Sequence, residues 1–360
     1  MIKMVRATSL YKNLFTGAII IAPFVFNGRG YVDECRSISG PNFFDKCRVC
    51  PRFCLQDLRI DDAPLSLAHT RDKLVMGRLT EQASLLFADL IPEIRHQLDH
   101  PLVGIVAIDV PQVSEDATVD AIVGSLIAVS LTQAIMPSLP DRENKTPVSI
   151  FTASKDNSKK LDRVGIRGLS PTDVLDFHSD GSIVDGKLSV PDYISIFNVF
   201  INYHDRGNFY WVPTSTISSF SHIIEKVGLS QEYCFSLTPA VYDNGQSDVK
   251  VVDRRARAAI FTRALDGSIT TFMNGTFEGR AGTSVDQAED VTAEIKTAIS
   301  TNPIRYSIPQ ESRRLILLNN ANGFHARDIF ENPMEEYPVT RTYLRSASIA
   351  GKVVGQIVED

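Results

Sequence analysis

The feature that most constrains this chain is a series of short apolar segments that begins at residue 147 and continues to residue 351. Each segment is rich in β-branched and aromatic residues, and turn-forming residues separate it from the next, which is the pattern of β-strands. The segments are PVSIFTAS, YISIFNVFINY, NFYWVPTSTI, AAIFTRAL, ITTFMNG, RRLILLNN and RTYLRSASIAG. Many short strands of this kind predict a sandwich or barrel made of two sheets.

Helical patterns dominate the part of the chain before residue 147. Residues 72–99 space their leucines roughly as one face of a helix does, with Pro92 as the predicted break. Residues 102–111 predict a buried strand, and residues 116–136 predict a mostly buried helix. Shorter helical patterns occur at 215–228 and 284–300.

Together these patterns predict an α+β, mainly β fold. We expect a double-stranded β-helix, the cupin-like jelly roll, with helices packed on its outside. A Rossmann fold is disfavoured because no Gly-x-Gly-x-x-Gly motif follows a strand. We expect one domain over residues 1–360, in which 1–100 form an N-terminal helical or irregular segment and 101–360 form the jelly-roll core with helical insertions.

Net charge and hydropathy limit the kinds of partner that this protein is expected to bind. The chain carries 37 Lys and Arg against 43 Asp and Glu, a net charge of −6, without the basic excess of a nucleic-acid-binding protein. The apolar run LFTGAIIIAPFVF near the start is too short to span a bilayer, and Pro23 interrupts it. No small-x-small cleavage site follows this run, which favours a buried strand or helix over a signal peptide. We expect a cytoplasmic protein, monomeric or homodimeric, with no nucleic-acid or membrane partner.

Four of the five cysteines lie close together near the start of the chain. They are Cys35, Cys47, Cys50 and Cys54, and Cys234 stands apart. The spacing in CRVCPRFC resembles that of zinc ligands, but a structural zinc site needs four ligands, which only Cys35 could complete. The odd number argues against a finished disulfide framework. Reduced thiols in a packed segment are the simpler interpretation.

A His-x-Asp pair raises the possibility of a metal site. His178 and Asp180 follow an alternating apolar segment, and residues i and i+2 of a strand point to the same face. A second histidine, His325, comes just after the apolar strand RRLILLNN. Two histidines and one carboxylate form the facial triad that leaves positions open on non-haem Fe(II). An ordinary strand-end histidine is the alternative for His178.

An arginine pair lies near the end of the chain. Arg341 and Arg345, in RTYLR, share one face of a predicted strand. An arginine beside such an iron suits the distal carboxylate of 2-oxoglutarate, because the guanidinium is a bidentate and permanently charged partner. Solvated strand arginines are the alternative.

These motifs, in this order, resemble the taurine dioxygenase and clavaminate synthase-like family of Fe(II)/2-oxoglutarate oxygenases. The family pattern is His-x-Asp, then more than a hundred residues, then an apolar strand ending in Asn and leading to His-Gly-Arg, then an arginine on the last core strand. FHSD, LILLNNANGFHAR and RTYLR match it, and the layout covers roughly residues 100–355. The chain departs from the pattern at Ala326, where the family prefers glycine, at Asn319, where an aspartate is common, and in the spacing between His325 and Arg341.

The resemblance implies His178, Asp180 and His325 as iron ligands and Arg341 as the 2-oxoglutarate clamp. Arg345 is the second candidate for that clamp, and Thr214 is a weaker candidate for binding the co-substrate. The implied cofactors are Fe(II), 2-oxoglutarate and O2, and the implied reaction is oxidation of a C–H bond in a small polar metabolite, such as an amino acid or a natural-product intermediate.

The implied reaction leaves several outcomes open. Hydroxylation is the usual one, and desaturation or ring formation use the same iron. Halogenating relatives replace the carboxylate ligand with a small residue, so Asp180 favours an oxygenase. Two further alternatives are a metal-binding jelly-roll protein without oxygenase activity and an interaction protein built around CRVCPRFC.

Overall fold

The computed structural model describes the backbone of Ile20–Ile21 and residues 73–358, apart from gaps at 111, 113–114, 142–144, 155–172, 238–239, 244–248, 253, 265–266, 275 and 281–284. Cys35, Cys47, Cys50 and Cys54 lie outside the described residues, and so do the interpretations that rest on them. Cys234 is a free, half-buried thiol. Within the predicted apolar run near the start, Ile20–Ile21 form a short strand.

The described residues contain five α-helices: α1 (Lys73–Leu86), α2 (Leu90–Asp99), α3 (Ala117–Ile135), α4 (Phe220–Val227) and α5 (Val285–Ser300). The strands are β1 (Ile20–Ile21), β2 (Ile105–Asp109), β3 (Ser149–Ser154), β4 (Leu175–His178), β5 (Ser182–Val184), β6 (Lys187–Pro191), β7 (Ile194–Ile201), β8 (Tyr203–Asp205), β9 (Asn208–Pro213), β10 (Glu232–Ser236), β11 (Ala240–Asp243), β12 (Val249–Val252), β13 (Arg255–Ala259), β14 (Phe261–Arg263), β15 (Ile269–Thr271), β16 (Thr276–Arg280), β17 (Tyr306–Pro309), β18 (Arg314–Leu318), β19 (Gly323–Arg327), β20 (Glu331–Pro333), β21 (Val339–Ala347) and β22 (Gly351–Val358).

Three larger sheets organise these strands. The helix-backed sheet has the order β1-β2-β18-β7-β21-β3, the outer sheet has the order β16-β10-β13-β22-β6-β5, and the four-stranded sheet has the order β17-β9-β19-β4. Neighbouring strands in all three sheets are antiparallel. The fold is mainly β with flanking helices, as the alternating segments predicted.

Strand β18 shows how the helix-backed sheet divides the core. Leu315 and Leu317 pack on one face against α1, α2 and α3, whereas Ile316 and Leu318 pack on the other face against the four-stranded sheet. A strand that is buried on both faces needs an unbroken apolar run, which explains the sequence RLILL. Burying a side chain of this size contributes about 1.5–3 kcal/mol to the free energy of unfolding, so this strand stabilises the packing on both faces of the sheet.

Trp211 fills the space between the helix-backed and four-stranded sheets. It is fully buried, and its indole Nε1 donates a hydrogen bond to the carbonyl oxygen of Val103 at 2.7 Å. The ring lies directly over Gly323, where an added Cβ would come within 2.3 Å of the indole. Position 323, two residues before His325, therefore requires glycine for steric reasons.

Helix α3 is the one described helix that is long and apolar enough to cross a membrane, and 67% of its most apolar window is buried inside the fold. Its apolar residues pack against α1, α2 and the helix-backed sheet, which accounts for its composition. The Asp116 carboxylate caps the helix by accepting hydrogen bonds from the backbone N–H groups of Thr118 and Val119 at 2.9 and 3.1 Å. The prediction of a buried helix at 116–136 is confirmed.

The predicted break at Pro92 is wrong in position. The chain leaves the helix at residues 87–89, and Pro92 lies in the first turn of α2. Proline is tolerated there because the first N–H groups of a helix have no intrahelical partner to lose.

Candidate metal centre

Two neighbouring strands of the four-stranded sheet bring the histidines together. His178 ends β4 and lies directly opposite His325 of β19 in the antiparallel register. Their ring centroids are 4.1 Å apart. Asp180 follows His178 by two residues and turns back toward both rings. Residues 147 positions apart in sequence thus become cross-strand neighbours.

The three side chains point their potential ligand atoms at one another. Oδ1 of Asp180 lies 3.4 Å from Nε2 of His178 and 3.9 Å from Nε2 of His325. One ligand atom from each residue lies within 4.8 Å of the other two, and this is the one such His, Cys, Asp and Glu group in the part of the chain that the structure describes. The donor set of two imidazoles and one carboxylate fits a divalent transition metal such as iron.

Hydrogen bonds to the backbone hold the His-x-Asp turn in place. Asn320 accepts from the backbone N–H of Asp180 at 2.8 Å and donates to its carbonyl oxygen at 2.9 Å. The amide nitrogen of Asn320 also donates to the carbonyl oxygen of Pro191 at 3.0 Å. The hydroxyl of Ser179 bonds to the carbonyl of Thr271 and the N–H of Met273. The turn is therefore fixed from both sides before any metal binds.

The protonation states suit metal ligation. Burial and the neighbouring His178 lower the pKa of His325 to about 3, so this ring is neutral near pH 7. Burial alone would raise the pKa of Asp180, but the charge of Arg345, with a hydrogen bond from His178, holds it well below its usual value. Nδ1 of His178 lies 2.7 Å from the carbonyl oxygen of Asp176, a backbone partner that orients the ring with Nε2 toward Asp180.

Arg345 binds the other oxygen of Asp180. Its Nε and Nη2 lie 2.8 and 2.7 Å from Oδ2. This leaves Oδ1 directed at the two histidines. Arg345, predicted as a second candidate for binding 2-oxoglutarate, is thus placed beside Asp180, the predicted carboxylate ligand.

Arg341 is buried and has no carboxylate partner among the described residues. Its guanidinium lies 4.3 Å over the ring of Tyr343 and 4.8 Å over the ring of Phe330. It donates to the side-chain oxygens of Asn198 and Gln310. Burial lowers the pKa of Arg341 to about 9. A buried cation whose hydrogen-bond partners are neutral amides is complementary to an anionic ligand.

Thr214 lies apart from this group. It begins a 3-10 turn, Thr214–Thr216, just beyond the Pro213 end of β9, and its hydroxyl donates to the carbonyl oxygen of Asn322. The structure therefore brings His178, Asp180, His325 and Arg345 into contact, places Arg341 further along β21, and gives the Thr214 hydroxyl a backbone partner.

Sequence reasoning missed the positioning residues of the site. Ser179 is the variable residue of the His-x-Asp motif, and Asn320 lies in the segment LILLNNANGFHAR, but the sequence predicted no role for either. The apolar strand that ends in two asparagines was a usable signal, because a buried amide at a strand end needs partners.

Comparison with known proteins identifies solved structures that share the fold of this chain. No model of a known protein family and no curated protein sequence matches the chain. An asparagine oxygenase solved with Fe(II), 3-hydroxyasparagine and succinate is 11% identical and superimposes with a TM-score of 0.53, covering 78% of this chain and 85% of that one. The non-haem iron oxygenase OrfP, solved with Fe and α-ketoglutaric acid, is 9% identical with a TM-score of 0.52, covering 79% and 92%. The chain has the fold of these iron oxygenases.

A taurine dioxygenase from Burkholderia xenovorans is 11% identical with a TM-score of 0.47, covering 76% of this chain and 88% of that one. The resemblance drawn from the motifs is confirmed for the fold by the asparagine oxygenase and OrfP. At 9–11% identity these likenesses concern the fold alone.

Proposed function

We propose that this protein is a non-haem Fe(II)/2-oxoglutarate-dependent oxygenase that oxidises a C–H bond of a small polar metabolite. The observation that carries the proposal is the convergence of His178, Asp180 and His325 inside an oxygenase fold, with the buried cation of Arg341 on β21 of the helix-backed sheet. We also propose that the sheets form the jelly roll of that fold within a single cytoplasmic oxygenase domain.

The three ligand residues have distinct tasks in this proposal. Nε2 of His178, Nε2 of His325 and Oδ1 of Asp180 hold the metal on one side. Bound there, Fe(II) supplies the chemistry that couples O2 and 2-oxoglutarate to oxidation of the substrate, with succinate and CO2 as the other products. Asn320 and Arg345 keep Asp180 oriented through its backbone and its second oxygen.

Arg341 is the better candidate for the distal carboxylate of 2-oxoglutarate. Arg345 already has a carboxylate partner in Asp180, whereas Arg341 contacts only neutral amides and aromatic rings. A second anion at Arg345 would compete with Asp180 for the same donors. At Arg341 an incoming carboxylate would compensate a buried charge.

Oxygenation is the reaction that the ligand set favours. Asp180 occupies the position that a halogenating relative leaves to an anion, so turnover should not depend on chloride. The asparagine oxygenase with a similar fold was solved with a hydroxylated amino acid. Amino acids and related metabolites are therefore the first class of substrate to screen.

The test is 2-oxoglutarate turnover by the purified full-length chain. We expect slow succinate formation that requires Fe(II) and O2, stops when a chelator removes the metal, and rises when the correct metabolite is added. His96→Ala, which changes an exposed histidine on α2, serves as a control and should retain this turnover. Retention of zinc, with no succinate from the Fe(II)-loaded protein, would instead support a metal-binding protein without oxygenase activity.

A further inference from the structure

The two histidines of the metal centre are held in different ways. Nδ1 of His178 has a backbone partner, the carbonyl oxygen of Asp176 at 2.7 Å. Nδ1 of His325 is buried and has no hydrogen-bond partner among the residues that the structure describes. A metal-binding histidine almost always uses its second ring nitrogen in a hydrogen bond that fixes the orientation of the ring. The ring of His325 is therefore oriented by a contact of another kind.

The contact that the structure shows is a stacked aromatic ring. The ring of Phe209 lies nearly parallel to that of His325, with the ring centroids 5.6 Å apart and an angle of 19° between the planes. Offset stacking at this separation is a favourable arrangement of two flat rings. Phe209 is 3% exposed and His325 is 2% exposed, so close packing surrounds both rings. An imidazole that turned about its Cβ–Cγ bond would lose this parallel arrangement.

The order of the strands explains how His325 is enclosed. Strand β19 lies between β4 and β9, so His178 and Phe209 come from strands on opposite sides of it. His325 is the cross-strand partner of Trp211, and Phe209 lies two residues before Trp211 on the same face of the sheet. His178 is itself a candidate ligand, whereas Phe209 has no ligand atom and can act on the metal centre only through its ring.

We infer that Phe209 is a positioning residue for His325: its ring, in place of a hydrogen bond at Nδ1, holds the imidazole with Nε2 at the metal site. This inference rests on the metal centre of the proposed function. The alternative is that Phe209 only fills the core, as a member of the apolar cluster that includes Ile308 and Leu318. An aliphatic side chain would fill that core but would not present a flat surface parallel to the imidazole.

Two substitutions of Phe209 separate these roles. Phe209→Leu keeps an apolar side chain but removes the flat ring, whereas Phe209→Tyr keeps the flat ring and adds a hydroxyl. Both should lower the free energy of unfolding of the metal-free protein, the first by leaving a cavity and the second by burying a polar group. If Phe209 positions His325, only Phe209→Leu should weaken metal binding. If Phe209 only fills the core, neither variant should weaken it.

The matched control is Phe324→Leu. Phe324 directly precedes His325 on β19 and is 0% exposed. Its side chain packs in a different apolar cluster, which includes Val212, on the other face of the four-stranded sheet. The same change from phenylalanine to leucine should therefore lower the free energy of unfolding there and leave metal affinity unchanged.

The measurement is the Fe(II) affinity of the full-length protein, determined without oxygen by competition with a chelator, together with chemical denaturation of the metal-free protein. We expect Phe209→Leu to lose about three- to tenfold in Fe(II) affinity, which is the scale of an aromatic pair. Phe209→Tyr should retain the affinity of the unmodified protein. The visible spectrum of the Co(II)-loaded protein, which depends on the arrangement of the ligands, should change in Phe209→Leu and not in Phe324→Leu.

The outcomes separate the inference from the proposed function. Unchanged Fe(II) affinity in Phe209→Leu would overturn the inference alone, and so would an equal loss in Phe324→Leu or in Phe209→Tyr. No Fe(II) binding by the unmodified protein would overturn the metal centre and with it the proposed function. Phe209→Met, which also lacks a flat ring but fills the space with a flexible side chain, replaces a leucine variant that does not fold, with the same loss of affinity expected.

Discussion

Replacing Arg345 by methionine should weaken metal binding even though Arg345 is not a ligand. Arg345 holds Oδ2 of Asp180 with two donors at 2.8 and 2.7 Å, and both side chains are largely buried. Removing it leaves the carboxylate free to rotate and unpaired on one side. Residues that orient a metal ligand typically contribute about 10–100-fold in metal affinity, which corresponds to about 1.4–2.7 kcal/mol.

The assay is competitive titration of Fe(II) under anaerobic conditions against a chelator of known affinity. A matched control is Arg314→Met, because Arg314 makes a similar paired contact with Asp109, at 2.6 and 3.0 Å, between β18 and β2. The control should lower the free energy of unfolding and leave metal affinity unchanged. Equal metal affinity in Arg345→Met and the unmodified protein would refute the argument that Arg345 positions Asp180.

Three further substitutions test the rest of the account. Arg341→Ala should raise the 2-oxoglutarate concentration needed for half-maximal turnover by about tenfold or more, since a hydrogen bond to a charged group contributes about 1.5–3 kcal/mol; an unchanged requirement would exclude Arg341 as the clamp. Asn320→Ala removes three hydrogen bonds and should lower the free energy of unfolding by about 2–4 kcal/mol in chemical denaturation, and a loss below about 0.5 kcal/mol would contradict its role in the turn. Gly323→Ala should lower the free energy of unfolding by about 1–3 kcal/mol or more through the clash with Trp211, measured by thermal unfolding. The control is Gly77→Ala on α1, which has no atom near the added Cβ and should be neutral or stabilising by up to about 1 kcal/mol.

Hydrophobic periodicity in the sequence predicted the strands and helices that are buried in apolar surroundings on all sides. Strand β18 was recognisable because both of its faces are buried, and α3 because it is apolar all round and begins at the Asp116 cap. The break near Pro92 was misplaced because a proline is compatible with the first turn of a helix, so it does not by itself say on which side of it the chain bends. The cysteine segment lies outside the described residues, so those interpretations remain predictions.

The sequence predicted the three side chains that converge at the candidate site, but it did not predict which groups the two arginines contact. The His-x-Asp spacing within a strand predicted His178 and Asp180. The end of an apolar strand predicted His325. Alternation along β21 places Arg341 and Arg345 on one face, but it does not say which anion each arginine meets. Arg345 meets Asp180 where Asn320 holds the turn after β4, and sequence spacing does not specify this long-range contact.

The most direct test of the iron site is the visible spectrum of the anaerobic protein titrated with Fe(II) and 2-oxoglutarate. We expect one Fe(II) per chain and a weak charge-transfer band from the bound chelate, both lost in His178→Ala and in His325→Ala and retained in His96→Ala. A band of full intensity in either ligand variant, or no band in the unmodified protein, would contradict the assignment of His178, Asp180 and His325 as the iron site.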